Sequence, residues 1–81
     1  MSADRILEIL HGPMADVRND ASLLGVERKN GETDETFRTR VAYAFQVHVL
    51  KFDGKPVPER ILERVAQWNE RAERESLEAV S

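Results

Sequence analysis

The chain has 81 residues, of which 41% are hydrophobic and 33% charged, with 12 basic and 15 acidic side chains giving a net charge of −3. That length allows one small domain, and the apolar share is too high for a disordered chain. With no cysteine, disulfides, thiolate metal sites and thiol chemistry are excluded, and the acidic balance argues against a general nucleic-acid binder, which would carry a basic field.

Residues 2–11 open the chain as a short helix. Ser2 is a candidate N-cap, Asp4 lies in the positive first turn, and Ile6, Leu7, Ile9 and Leu10 form one apolar face. Gly12 stops it, and Pro13 suits the first position of the next helix. There Met14, Val17, Ala21 and Leu24 make a stripe, with Asp16, Arg18 and Asp20 directed away from it. Gly25 ends that pattern, and residues 27–32 form a polar loop around Asn30-Gly31.

Thr33 caps a third helix over residues 34–52, the longest, with Asp34 and Glu35 in its first turn. Phe37, Val41, Ala44, Phe45, His48 and Phe52 recur at helical spacing, which predicts a half-buried His48. Phe45, Val47 and Val49 also alternate as a strand would, but the chain offers no partner strand, so the segment reads as helix. Residues 53–58, Asp-Gly-Lys-Pro-Val-Pro, break the chain, and Pro58 again suits a first helical position. Ile61, Leu62, Val65, Trp68 and Ala72 then form the apolar stripe of a last helix, with residues 73–81 read as turns that are solvated and frayed or that wait for a partner. The sum is an all-α domain over 1–81, a bundle of about four helices packed on the third.

Little chemistry is legible. His11 and His48 are the only histidines and lack metal-ligand spacing, and the serines sit in no nucleophile elbow. The four glycines fall singly at helix ends and turns, not in a phosphate cradle. No enzymatic activity, cofactor, metal or small-molecule substrate is therefore expected. Arg28, Lys29, Arg38 and Arg40 cluster on the second loop and third helix. A helix-turn-helix regulator is one reading of that region, opposed by the long loop and by Asp34-Glu35, which phosphates would repel. Trp68 is either a core-edge residue or an anchor for a partner. The run Glu70-Arg71-Ala72-Glu73-Arg74-Glu75 reads as solvated helix surface, with Glu70 and Arg74 in the favourable i,i+4 orientation.

Residues 23–41, Leu-Leu-Gly-Val-Glu-Arg-Lys-Asn-Gly-Glu-Thr-Asp-Glu-Thr-Phe-Arg-Thr-Arg-Val, resemble a segment of the phage baseplate J-like family. Its members carry a helix ending in Leu-x-Gly-Val-x-Arg, a short loop, and Gly-Glu-Ser/Thr-Asp-Glu-x-Phe/Leu-Arg-x-Arg opening a second helix. They are several times longer, and the β-rich body they carry has no counterpart here. What the resemblance implies is a helix–loop–helix element and a phage or prophage origin, with Arg28, Arg38 and Arg40 where family arginines fall. Residues 55–62, Lys-Pro-Val-Pro-Glu-Arg-Ile-Leu, are similar to the start of the last helix of small anti-sigma factors of the general stress response.

Together these point to a small protein that binds another protein through Arg28, Arg38, Arg40 and Trp68. The partner is expected to be a virion component, in tail assembly, or a host protein inhibited by the phage, and self-association is a further outcome of a core this small. No apolar run approaches the roughly 20 residues a membrane span needs, and the Met-Ser-Ala-Asp-Arg start lacks a signal-peptide stretch. The expected location is thus the bacterial cytoplasm or the virion.

Overall fold

The computed structural model describes residues 2–80, with side chains from Asp4 onward, so the cap expected of the Ser2 side chain lies outside the described residues. Four helices follow in order, α1 (Ser2–His11), α2 (Met14–Leu24), α3 (Asp34–Phe52) and α4 (Glu59–Val80). The described residues contain no strand, and Phe45 to Phe52 are helical throughout.

Each boundary has a local cause. The Gly12 N–H donates to Glu8 O at 2.7 Å, closing the last turn of α1. Pro13 is extended (φ −60°, ψ 137°) and stands one residue ahead of α2, at the N-cap rather than the first helical position. Pro58 is displaced the same way, its carbonyl accepting from Ile61 and Leu62 N–H while α4 begins at Glu59. At the end of α2, Gly25 takes φ 74°, and Val26 N–H reaches Ala21 O at 2.8 Å. Gly54 repeats this motif after α3, with φ 70° and Lys55 N–H on Leu50 O at 2.8 Å. Such left-handed positions strain any residue carrying a Cβ. Thr33 caps α3 as its sequence position predicts, its Oγ1 accepting from Thr36 N–H at 3.3 Å.

The core lies under α1, α2 and the first half of α3, where Ile9, Val17, Ala21, Phe37, Val41 and Ala42 are buried together. Phe45 is the last residue of α3 packed on this cluster. α1 and α2, at about 15–17 Å each, are too short to cover an α3 of about 28 Å. Beyond Phe45 their side of α3 is open, which corrects two expectations: His48 is exposed, and Phe52 is 83% exposed.

α4 packs on the other side of α3 and touches neither α1 nor α2. Its expected stripe is buried unevenly. Ala72 is fully enclosed, Ile61, Val65 and Trp68 are half-buried, and Leu62 is 51% exposed. Residues 73–80 are helical to Val80 and partly engaged. Glu75 bonds to the start of α3, and Ala79 lies against Gly31. Gly31 has φ 89°, and a Cβ built there would stand 2.3 Å from the Ala79 Cβ, so both its backbone and the close approach of α4 demand glycine. The Glu32 N–H closes this turn on Lys29 O at 3.1 Å.

Candidate functional site

The α2–α3 loop is held by a buried ion pair. The Glu32 carboxylate is fully buried, and Arg40, its side chain 10% exposed, donates to both carboxylate oxygens from Nη1 at 2.8 and 2.9 Å. The Lys29 N–H donates to Glu32 Oε1 at 2.9 Å. Arg40 also reaches Glu27 O at 3.2 Å and, through Nε, Asn69 Oδ1 on α4 at 3.0 Å. One guanidinium thus ties the loop to both long helices. A buried carboxylate is tolerated only when its charge is met and both oxygens are hydrogen-bonded, which Arg40 and the Lys29 N–H accomplish.

Arg28 lies on the outer side of the same turn. Its Nη2 donates to Glu32 O at 2.9 Å and Asp34 Oδ1 at 2.6 Å, with its guanidinium 5.3 Å from the centre of the Phe37 ring. Arg38 faces α1 and donates to Ile9 O at 3.2 Å, satisfying one of the carbonyls that the end of a helix leaves open. The structure therefore gathers Arg28 and Arg40 on Glu32, directs Arg38 to α1, and gives all three acceptors within the chain. Asp20, expected to point away from the core, is buried against Arg5 of α1.

Glu75 performs a similar task at the head of α3. It accepts from Thr33 N–H at 2.9 Å, the Thr36 hydroxyl at 2.8 Å and Arg71 Nε at 3.2 Å. Burial pushes its carboxyl up, but the bonds from the Thr33 N–H, the Thr36 hydroxyl, Arg71 and the Thr33 hydroxyl outweigh that and hold it below the ordinary carboxylate value. Its charge also sits at the positive end of α3. Because 42 residues separate Glu75 from Thr33, no local sequence signal announces this contact.

Trp68 stands apart from the three arginines. It is half-buried on α4, with the Arg71 guanidinium 4.8 Å from its ring centre. Arg60, Arg64, Gln67, Arg71 and Arg74 follow one another at spacings of four, three, four and three, which aligns them along one edge of α4. The pairing expected between Glu70 and Arg74 is absent among the described residues; the ion pair on this helix joins Arg71 to Glu75. Arg60, Arg64 and Arg74 are exposed and have no hydrogen-bond or ion-pair partner among the described residues. The signal for this strip in the sequence is the recurrence of arginine and glutamine every three or four residues from Arg60 to Arg74.

Three neighbouring depressions share lining residues along this face. One of about 300 Å³ lies between α1 and α3 and includes Ile6, Leu10, Ala42 and Tyr43. The next, about 420 Å³, shares Tyr43 and Gln46 with it and reaches Arg60 and Arg64. The third, about 330 Å³, continues from Arg64 past Trp68 to Arg74. Among the described residues no group of three His, Cys, Asp or Glu side chains is placed to hold a metal ion, and no helix is long and apolar enough to cross a membrane.

Compared with known proteins, the chain matches no family model, no curated protein and no solved structure. The baseplate-like expectation accordingly rests on residues 23–41 alone.

Proposed function

We infer that this chain is a non-catalytic interaction protein that binds another protein through the outer side of α4, in the setting of phage virion or tail assembly. One observation carries the interaction reading. α4 spans 22 residues and, of the other helices, packs on α3 alone, meeting the α2–α3 loop only at its C-terminal half, with Ala72 its one fully buried residue among those described. Leu62, Leu77 and Val80 are left 51%, 70% and 78% exposed. Leu77 and Val80 lie one turn apart, and burying these exposed apolar side chains against a partner at about 25 cal/mol per Å² adds stability that a domain this small lacks. The tail setting comes from the resemblance over residues 23–41.

The arginines expected to meet the partner serve differently in this reading. Arg28, Arg38 and Arg40 hold the α2–α3 loop and α1 in place, and Trp68 is the one residue of that set on α4, at the edge that carries Arg64, Arg71 and Arg74. Photo-crosslinking in the source cells tests the proposal. A crosslinking side chain at Leu62 or Leu77 is expected to trap one protein in stoichiometric yield, whereas one at exposed Asn19 on α2 traps none. A virion structural protein in the adduct supports the assembly role, and a host protein replaces it with inhibition. Equal or absent crosslinking from both sides of the molecule refutes the reading.

A further inference from the structure

The neighbouring depressions carry a chemical signature different from the rest of the surface. The protein is acidic overall, at −3, yet the stretch from Arg60 to Arg74 is lined by four arginines and no carboxylate. Three of those guanidinium groups have no partner among the described residues. At the other end, between α1 and α3, the lining turns apolar with Ile6, Leu10 and Ala42.

We propose that this groove binds an acidic segment of the partner protein, its carboxylates on Arg60, Arg64, Arg71 and Arg74 and one apolar side chain in the pocket between α1 and α3. The proposal rests on the interaction reading above and specifies the partner's chemistry. From Arg60 to Arg74 the strip rises about 21 Å, the length of a helical or extended segment carrying several acids. Arginine forks match carboxylates bidentately, and Trp68, already stacked by Arg71, offers a flat apolar floor between them. A nucleic-acid backbone fits less well. Its uniform charge has nothing to place in the apolar pocket lined by Ile6, Leu10 and Ala42.

The test uses the full chain and a fluorescein-labelled, glutamate-rich peptide about as long as the strip, carrying one leucine. By fluorescence anisotropy the peptide is expected to bind saturably and more weakly as salt rises. Arg64→Glu with Arg74→Glu should weaken it about tenfold, since exposed ion pairs are each worth a few-fold, and Arg60→Glu alone should weaken it less. These side chains are exposed and unpartnered, so unchanged circular dichroism is expected for each variant. Replacing the peptide leucine by serine should weaken binding severalfold. Absence of saturable binding, equal binding of a lysine counterpart, tighter binding of a DNA oligonucleotide of matched charge, or unaltered affinity in the double variant overturns the proposal. If the peptide fails while Leu62 still crosslinks a partner, only the groove assignment falls; if neither occurs, the interaction reading falls with it.

Discussion

Replacing Arg40 by methionine is expected to remove most of this protein's stability. The substitution keeps an unbranched apolar stem but leaves the Glu32 carboxylate, fully buried, with only the Lys29 N–H as a partner. It also deprives Glu27 O and Asn69 Oδ1 of their donor. Breaking one side of a buried ion pair costs about 3–5 kcal/mol, whereas a chain of 81 residues has about 4–12 kcal/mol in total. With a urea m-value near 1 kcal/mol per molar for a domain this small, the midpoint should fall by about 3 M or more. Circular dichroism at helical wavelengths and Trp68 fluorescence both report the transition. The double variant Arg40→Met with Glu32→Met removes the stranded charge and should recover most of the loss. A single variant within about 1 kcal/mol of the parent would show that water screens the pair after all. A double variant no better than the single would mean that the arms to Glu27 and Asn69, not the ion pair, hold the loop.

Three further outcomes follow from other contacts. The Glu75 carboxyl titrates below its ordinary value of 4.5 when folded, so the ionised form is the one favoured by folding. Its contribution is complete above that value and is lost as pH falls through the lowered one, and the advantage over Glu75→Gln should vanish in that window; an advantage unchanged down to full acid unfolding would contradict this. Gly31→Ala must place a methyl against Ala79 at positive φ, costing about 1–3 kcal/mol from backbone strain before the clash is counted. Adding Ala79→Gly should relieve the clash and leave the strain, and a neutral Gly31→Ala in thermal melts would refute the close approach. His48→Ala and Phe52→Ser, at positions the sequence places on the apolar stripe of α3, should each change stability by less than about 0.5 kcal/mol; a loss of about 2 kcal/mol or more, the range of a core truncation, would show them packed after all.

The helices were legible because their ends are written in short-range chemistry. Thr33 before two acids and Gly25 and Gly54 after apolar runs act within one turn, so local reading finds them. The two prolines misled by one residue, since a fixed φ suits the N-cap and the first helical position alike. Burial along α3 was not legible. Its apolar residues lie all round the helix, as suits an element packed on two sides, and the stripe from Phe37 to Phe52 follows only one of them. Where that stripe ceases to be covered depends on the lengths of α1 and α2, which periodicity within α3 does not record. The polar contacts failed for a similar reason. Charge alone points to the surface, yet Asp20, Glu32 and Glu75 find partners through tertiary approach, one of them 42 positions away. For the arginines the difficulty was direction: Arg28, Arg38 and Arg40, clustered in sequence, are spent on acceptors within the chain, while a strip spread over four turns of α4 faces out.

The measurement that bears most directly on an interaction role for α4 is a backbone amide spectrum of the isotopically labelled chain, recorded before and after addition of the crosslinked partner. The shifts are expected to concentrate on residues 60–80 and the Trp68 indole N–H, leaving α2 unaffected. Shifts confined to α2 and the α2–α3 loop, or no shifts at all, would contradict it.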